Sequence, residues 1–107
     1  MISTHVLDTS KGHPATGVAV LLQKMNGAQW TEVAKGVTDA DGRCAFDCER
    51  LPGVYQLVFE IEPYLKKDAR DFFFLSAPVI FKIENTQRKY HVPLLLNPFG
   101  YSTYRGS

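Results

Sequence analysis

Three polar side chains lie in predicted strands or next to a turn, where they could do proton-transfer chemistry together. His5 lies in the stretch ISTHVLD, His91 lies in KYHVPLLL, and Arg43 follows directly after Asp41–Gly42. An imidazole exchanges protons near neutral pH, and a guanidinium offers a planar set of donors to carbonyl oxygens. Two imidazoles and a guanidinium in one place would form a site that exchanges protons and binds a carbonyl-rich substrate. Spacing alone does not bring them together, and two unrelated surface histidines are the simpler interpretation of the pattern.

Other kinds of site fit the sequence less well. Asp39 and Asp41 in DADG resemble the start of a calcium loop, but an apparent strand follows where further ligands are required. A zinc site from His5, His91 and a cysteine is conceivable, although no close pair of histidines or cysteines is present. There is no glycine-rich phosphate loop and no Gly-x-Ser-x-Gly motif. We therefore expect neither a metal nor a cofactor.

Length and composition predict one ordinary globular domain over residues 1–107. Hydrophobic residues make up 45% and charged residues 21% of the chain, and the formal net charge is +1. No basic run stands out, which disfavours nucleic acid and acidic membrane surfaces as partners. The first residues do not form a secretory signal, and no apolar run approaches the roughly 18 residues of a membrane span. Because no targeting signal or span is found, a cytoplasmic location is expected by elimination. Cys44 and Cys48 are too far apart in an extended strand to form a disulfide with each other, which fits a reducing compartment.

The elements that must position these residues are short strands separated by Gly, Pro, Asn and Asp. Seven or eight strands and one short helix in PYLKKDARD predict an all-β sandwich. Asp41–Gly42 predicts a tight hairpin with a type I′ turn. In GVYQLVFEIE one alternating set is wholly apolar and is expected to face the core: Tyr55, Leu57, Phe59 and Ile61.

The last strand carries a proline and leads into an unusual ending. Pro93 cannot donate to a strand ladder, so this strand is expected either to lie at a sheet edge, where a second copy could cover it, or to be open on the side of the proline. The chain closes with YSTYRGS, an ordered set of aromatic, basic and small residues. Chain ends are usually frayed and tolerant of change. Such a definite composition indicates a segment with a specific place in the molecule.

Three motifs, taken together, resemble a known family. THVLD, TDADGR and YHVPLLLNPFGYSTYRGS, in this order, are similar to motifs of the transthyretin-related 5-hydroxyisourate hydrolases, and the resemblance runs from Ser3 to Ser107. YRGS is the most specific element, because the transthyretins, hormone carriers of the same fold, lack this ending and the paired histidines. Asn97 stands where Ser is common, and His13 stands where Arg or Lys is more usual. Neither departure touches the inferred chemistry directly.

The resemblance implies a fold, a reaction and an assembly. The fold is a transthyretin-like sandwich of two four-stranded sheets with one short helix. The reaction is hydrolysis of 5-hydroxyisourate to 2-oxo-4-hydroxy-4-carboxy-5-ureidoimidazoline in urate degradation. The assembly is a homotetramer, a dimer of dimers, with active sites in the cleft between dimers. The alternative function is that of a small-ligand or hormone carrier on the same fold, without catalysis.

The resemblance also implies which residues form the site. The expected catalytic residues are His5, Arg43, His91 and Ser107, and the expected substrate-binding residues are His5, Arg43, Tyr104, Arg105 and Gly106. On this view the tail docks into a partner subunit's cleft. The hydroxyl of Ser107 could join a proton relay, and its terminal carboxylate could hold a cationic neighbour. The roles of the two histidines are not distinguished by the sequence.

Overall fold

The protein, in a computed structural model that describes residues 1–49 and 51–107, is a sandwich of two β-sheets with one short helix. In chain order its elements are β1 (Ile2–Asp8), β2 (His13–Pro14), β3 (Ala19–Asn26), β4 (Gln29–Val37), β5 (Arg43–Phe46), β6 (Gly53–Glu60), α1 (Glu62–Lys66), β7 (Ala77–Ile83), β8 (Tyr90–Asn97) and β9 (Gly100–Thr103). The predicted all-β sandwich is confirmed.

The first sheet is built around β1. Its order is β2–β1–β8–β9, and β5 pairs with the same edge of β1 as β2 does. The two-residue β2 is the one addition to the predicted four strands, since we expected its residues in a loop. β1 and β8 run parallel, while the other pairs in this sheet are antiparallel. The second sheet has the predicted four strands, in the order β4–β3–β6–β7.

The core lies between the sheets and follows the predicted alternation. Tyr55, Leu57, Phe59 and Ile61 are each at most 1% exposed. The inward faces of β1 and β8 meet them with a further buried set, which is Ile2, Val6, Tyr90, Val92, Leu94 and Leu96. Because strand side chains alternate, the intervening residues of β1 and β8 point outward. That outer face carries both histidines.

The connection at Asp41–Gly42 is not the predicted hairpin. β4 belongs to the second sheet and β5 to the first, so this turn carries the chain between sheets. Gly42 alone of the pair has a positive φ (76°), whereas a type I′ turn needs two. A Cβ on Gly42 would lie 2.4 Å from the Val6 carbonyl oxygen, because the turn presses against β1. The hairpin prediction is therefore wrong, and the turn instead delivers Arg43 onto β1.

Pro93 lies in an interior strand whose ladder is open beside the proline. Of the two predicted alternatives, the edge position is wrong and the local opening is confirmed. β8 has β1 on one side and β9 on the other. The missing donor is tolerated because it coincides with a gap in the β8–β9 ladder, which starts at Leu94↔Thr103. The Pro93 carbonyl accepts a hydrogen bond from the Thr103 hydroxyl at 2.6 Å.

The tail continues β9 past this gap. An isolated bridge pairs Gly106 with His91, in the same register as the β8–β9 ladder. That register places Tyr104 opposite Pro93, where no backbone donor is available. The tail is thus pinned at Thr103 and at Gly106, and the two residues between them are not laddered.

A buried carboxylate at the end of β1 connects this strand to the helix. Asp8 is 1% exposed, and it accepts hydrogen bonds from the hydroxyls of Tyr64 and Ser10, each at 2.7 Å. The guanidinium of Arg70 donates to the same carboxylate at 2.9 Å. We call these four residues the Asp8 cluster. They join β1 to α1 and to the loop that follows it.

Two further predictions concern cysteines and membrane spans. Cys44 is buried, Cys48 is half-buried, and both are free, as expected. In the described parts of the chain, no helix has the length and apolar character needed to cross a membrane.

Candidate active site

Three neighbouring strands bring His5, Arg43 and His91 to one face of the first sheet. In the β1–β5 register Arg43 lies directly opposite His5, and in the β1–β8 register His5 lies opposite Pro93. Opposed residues in a sheet have Cβ atoms about 4.5–5.5 Å apart, so the Arg43 and His5 side chains are immediate neighbours. We call His5, Arg43 and His91 the imidazole cluster.

The ring of His91 is held at two positions. Its Nδ1 lies 2.8 Å from the hydroxyl oxygen of Ser3, the residue opposite it on β1. On the other edge of the ring lies Gly106, where a Cβ would stand only 2.4 Å from His91 Cδ2. The Gly106 amide donates to the His91 carbonyl at 2.8 Å. The tail therefore reaches the histidine of its own chain. Docking of the tail into a partner's cleft stays a prediction.

The electrostatics of the cluster favour a neutral His91. Burial lowers the pKa of His91 below its ordinary value, and the positive charges of His5 and Arg43 lower it further. A neutral imidazole keeps one nitrogen as a donor and the other as an acceptor at neutral pH. His91 can therefore bind or accept a proton without first having to lose one.

One acidic residue stands behind the guanidinium. Asp39 accepts hydrogen bonds through its carboxylate from the amides of Asp41 (2.9 Å) and Arg43 (3.0 Å). The Arg43 amide is the main cause of a lowered pKa at Asp39, and the charges of Arg43 and His5 add to it. Asp39 thus fixes the turn that presents Arg43 and partly balances the local positive charge.

A cavity of about 250 Å³ opens beside the tail. Phe81 of β7, His91 and Val92 of β8, and Tyr104 and Arg105 of the tail all line it. The guanidinium carbon of Arg105 lies 5.1 Å from the centre of the Tyr90 ring, within cation–π range. This opening has room for a small flat ring, with His91 at its wall.

The predicted site residues are therefore only partly gathered within one chain. His5, Arg43 and His91 share a face, and Gly106 lies against His91. Tyr104 and Arg105 line the cavity, which His5 and Arg43 do not reach. Ser107 is exposed.

Two positions that sequence reasoning did not select take part in the geometry. Strand alternation places Ser3 on the outward face of β1 with His5. Its contact with His91 becomes visible only in the pairing of β1 with β8. Asp39 was considered for a metal, whereas it serves the turn before Arg43. Within residues 1–49 and 51–107 there is no group of three or more His, Cys, Asp or Glu side chains placed to hold a metal ion.

Comparisons with known proteins agree with this geometry. The model of the HIUase/Transthyretin family matches residues 2–106. The 5-hydroxyisourate hydrolase of Salmonella typhimurium is 43% identical over 110 residues, covering 100% of this chain and 81% of that protein.

Two solved structures are similar throughout their length. Klebsiella pneumoniae 5-hydroxyisourate hydrolase superposes with a TM-score of 0.86 and 37% identity, over 99% of this chain and 92% of that one. Sea bream transthyretin in complex with thyroxine gives a TM-score of 0.91 and 32% identity, over 98% and 93%. The fold is thus shared by a 5-hydroxyisourate hydrolase and a transthyretin that binds thyroxine, and side chains must distinguish them.

Proposed function

The chain belongs to the HIUase/transthyretin family, and from this premise we propose that the imidazole cluster and the tail form its active site. The protein is an enzyme that hydrolyses 5-hydroxyisourate to 2-oxo-4-hydroxy-4-carboxy-5-ureidoimidazoline in urate degradation. Water adds its oxygen to an acyl carbon of the ring, the C–N bond breaks, and the departing nitrogen takes a proton. The site must therefore supply a base, a donor and charge stabilisation.

Arg43 is the group suited to the developing oxyanion. Its guanidinium stays positively charged at any working pH, and it lies beside His5 at the sheet edge. The turn fixed by Asp39 holds its backbone in place before the substrate arrives. A donor set in advance toward the charge that builds up costs no reorganisation during the reaction.

The two imidazoles divide the proton transfers. One accepts a proton from the attacking water, and the other orients the substrate and supports the departing nitrogen. Because the pKa of His91 is lowered, its ring is neutral over the physiological range. Neither histidine needs a metal to serve in this way.

The tail supplies the wall against which the flat substrate lies. Tyr104 and Arg105 flank the cavity and offer an aromatic ring and a cation to a carbonyl-rich heterocycle. Ser107 contributes its hydroxyl to a proton relay in this proposal. Gly106 keeps the backbone close to His91.

The observation that carries the proposal is the convergence of His5, Arg43 and His91 from three strands on one face. A carrier such as transthyretin needs an apolar channel and has no use for two imidazoles beside a guanidinium. The carrier function stays the alternative, because sea bream transthyretin shares the fold.

The test is the decay of freshly generated 5-hydroxyisourate, followed by ultraviolet absorbance with and without the protein. We expect the protein to accelerate the decay, and catalytic amounts to suffice. A protein that binds thyroxine-like aromatic ligands but leaves the decay rate unchanged would favour the carrier.

We also infer a homotetramer, a dimer of dimers, and a cytoplasmic location. Large apolar side chains outside the core support assembly, among them Phe73 (71% exposed), Phe99 (62%) and Ile80 (62%). The two free thiols support a reducing compartment. Light scattering across a dilution series would test the tetramer, and a monomer at working concentration would exclude it.

A further inference from the structure

The first strand holds the ring of His91 by a side chain to which the reaction mechanism has so far given no role. Ser3 and His91 lie opposite each other in the parallel β1–β8 register, on the outer face of the sheet. The Ser3 hydroxyl oxygen is 2.8 Å from Nδ1, which is a normal hydrogen-bond distance. The contact is half-buried, so water competes with it only in part.

The opposite edge of the ring is held by the tail. A Cβ on Gly106 would lie 2.4 Å from Cδ2 and 3.1 Å from Cγ of His91. Gly106 does not have a positive φ, so the glycine is required for space and not for backbone conformation. With Nδ1 held by Ser3 and Cδ2 by Gly106, the Nε2 end is the part of the ring left free.

These two contacts specify the orientation of the ring. A half-turn about the Cβ–Cγ bond would exchange Nδ1 and Cδ2, and the ring would lose its hydrogen bond. The chemistry of the pair also specifies the proton. An imidazole nitrogen is a far stronger base than a hydroxyl oxygen, so the stronger arrangement has Ser3 donating to Nδ1.

We propose that Ser3 is a positioning residue for His91: it donates to Nδ1, fixes the tautomer that carries hydrogen on Nε2, and so presents an N–H donor to the substrate. This inference rests on the proposed function and deepens it. A neutral imidazole with a fixed N–H polarises a carbonyl by donating a hydrogen bond to its oxygen while keeping the proton. Other enzymes use an imidazole in this role. It leaves His5 as the group that takes the proton from water.

The surroundings of His91 agree with a neutral ring in this role. Facing it are His5 on β1 and Arg43 on β5, and Arg105 lies beside it on the wall of the cavity. His5 and Arg43 lower the pKa of His91 and so oppose a second proton, and they and burial outweigh a hydrogen bond with the Ser3 backbone that raises this pKa.

The first arm of the test reads the tautomer directly and needs no substrate. Long-range proton–nitrogen NMR spectra of ¹⁵N-histidine-labelled protein distinguish a nitrogen with hydrogen from one without. His5→Gln and His13→Gln variants assign the three imidazoles. We expect hydrogen on Nε2 of His91 in the unmodified protein and in Ser3→Thr, and a mixture of tautomers in Ser3→Ala. An unchanged spectrum in Ser3→Ala, or hydrogen on Nδ1 in the unmodified protein, would overturn the assignment.

The second arm measures steady-state kinetics on 5-hydroxyisourate. We expect Ser3→Ala to lower kcat by roughly 10-fold to 100-fold, as small errors of orientation do, with little change in KM. Ser3→Thr keeps the hydroxyl and should restore most of the rate. Thr31→Ala, which removes an exposed hydroxyl from β4 of the other sheet, is the matched control and should match the unmodified enzyme.

The two arms separate the inference from the proposed function. If the protein does not act on 5-hydroxyisourate, the proposed function fails while the spectra still decide whether Ser3 sets the tautomer. If the tautomer changes in Ser3→Ala and kcat does not, the positioning role is overturned although the enzyme activity stands.

Discussion

One strand carries two polar groups of opposite character. β1 presents His5 on its outer face to the imidazole cluster and Asp8 on its inner side to the Asp8 cluster. In the Asp8 cluster a buried carboxylate meets a guanidinium and two hydroxyls, so its charge is balanced. In the imidazole cluster two imidazoles stand beside a guanidinium, and like charges oppose one another.

The difference shows how the same strand serves stability on one side and chemistry on the other. Burial by itself raises the pKa of Asp8, but hydrogen bonds from Ser10, Tyr64 and Arg70 outweigh it and hold that pKa far below its usual range. At His91 the balance is the reverse: burial, and then the neighbouring His5 and Arg43, lower the pKa, and a hydrogen bond with Ser3 that raises it does not outweigh them. A cluster whose charges are balanced stabilises the fold, whereas a cluster with unbalanced charge is available to bind and act on a substrate.

The largest effect is expected from removing an imidazole. His5→Ala or His91→Ala should each lower kcat on 5-hydroxyisourate by about 10²–10⁴-fold, the range typical of general acid–base groups. Stability should change by less than about 1 kcal/mol, since both rings lie on the outer face. Turnover and thermal unfolding of each purified variant are the measurements.

The matched control is the third histidine. His13 is exposed on β2, and its Nδ1 lies 2.8 Å from the Pro14 carbonyl oxygen. His13→Ala should keep both the activity and the stability of the unmodified protein. Near-normal turnover in His5→Ala and in His91→Ala alike would remove the imidazole cluster from the mechanism.

The reverse result is expected at Asp8. Asp8→Asn keeps the shape of the side chain but removes the buried charge partner of Arg70, which then has only the longer contact of its Nε with Asp68 at 3.4 Å. Breaking such a pair costs about 3 kcal/mol, at the low end of the usual range because the Arg70 side chain is 18% exposed. Urea unfolding should report this loss, while turnover per folded molecule stays close to normal.

The loss of stability at acid pH gives a second comparison between the unmodified protein and Asp8→Asn. Because the folded chain lowers the pKa of Asp8, its contribution is complete above the unfolded value of about 3.9 and is lost as the pH falls further. The unmodified protein should therefore lose more stability than Asp8→Asn between about pH 5 and pH 2. Parallel curves for the two proteins would show that Asp8 is not held as described.

A smaller loss of stability is expected when one hydroxyl is removed from the Asp8 cluster. Burial and the hydrogen bond to Asp8 raise the pKa of Tyr64 to about 12, so the hydroxyl stays a donor over the working range. Tyr64→Phe removes that bond to a charged acceptor and should cost about 1.5–3 kcal/mol. Urea unfolding measures it, and a cost near zero would mean that water replaces the hydroxyl.

The smallest expected effect tests the electrostatic interactions within the imidazole cluster. Arg43→Gln removes a positive neighbour, so the pKa of His91 should rise toward its ordinary value. Burial and His5 continue to lower it, which makes the rise partial. An NMR titration of His91 in both proteins is the measurement, and a fall in the pKa would contradict the placement of Arg43.

Sequence periodicity was enough to predict the faces of the strands. The apolar set from Tyr55 to Ile61 is buried, and His5 and His91 lie on the outer face as alternation predicted. Asp8 continues the inward set Ile2, Thr4 and Val6, so an acidic residue on a core face was already a signal for a buried partner. The partner, Arg70, is not predictable from spacing, because it lies in a loop 62 residues away.

Strand pairing was the part that local patterns could not supply. Asp41–Gly42 has the composition of a hairpin turn, but the flanking strands belong to different sheets. Pro93 has the character of an edge residue, but a gap in the ladder accommodates it inside the sheet. Both outcomes depend on contacts between distant segments, and so does the Ser3–His91 contact.

The parallel pairing of β1 with β8 also determines when, during its synthesis, a molecule can become active. Ser3 and His91 are 88 positions apart along the chain. A ribosome adding about 5–20 residues per second needs roughly 5–20 s to travel that distance. During this interval the nascent chain contains Ser3 and His5 but not yet His91. Competence therefore arrives only after β8 has been made and docks beside β1, which was made earlier.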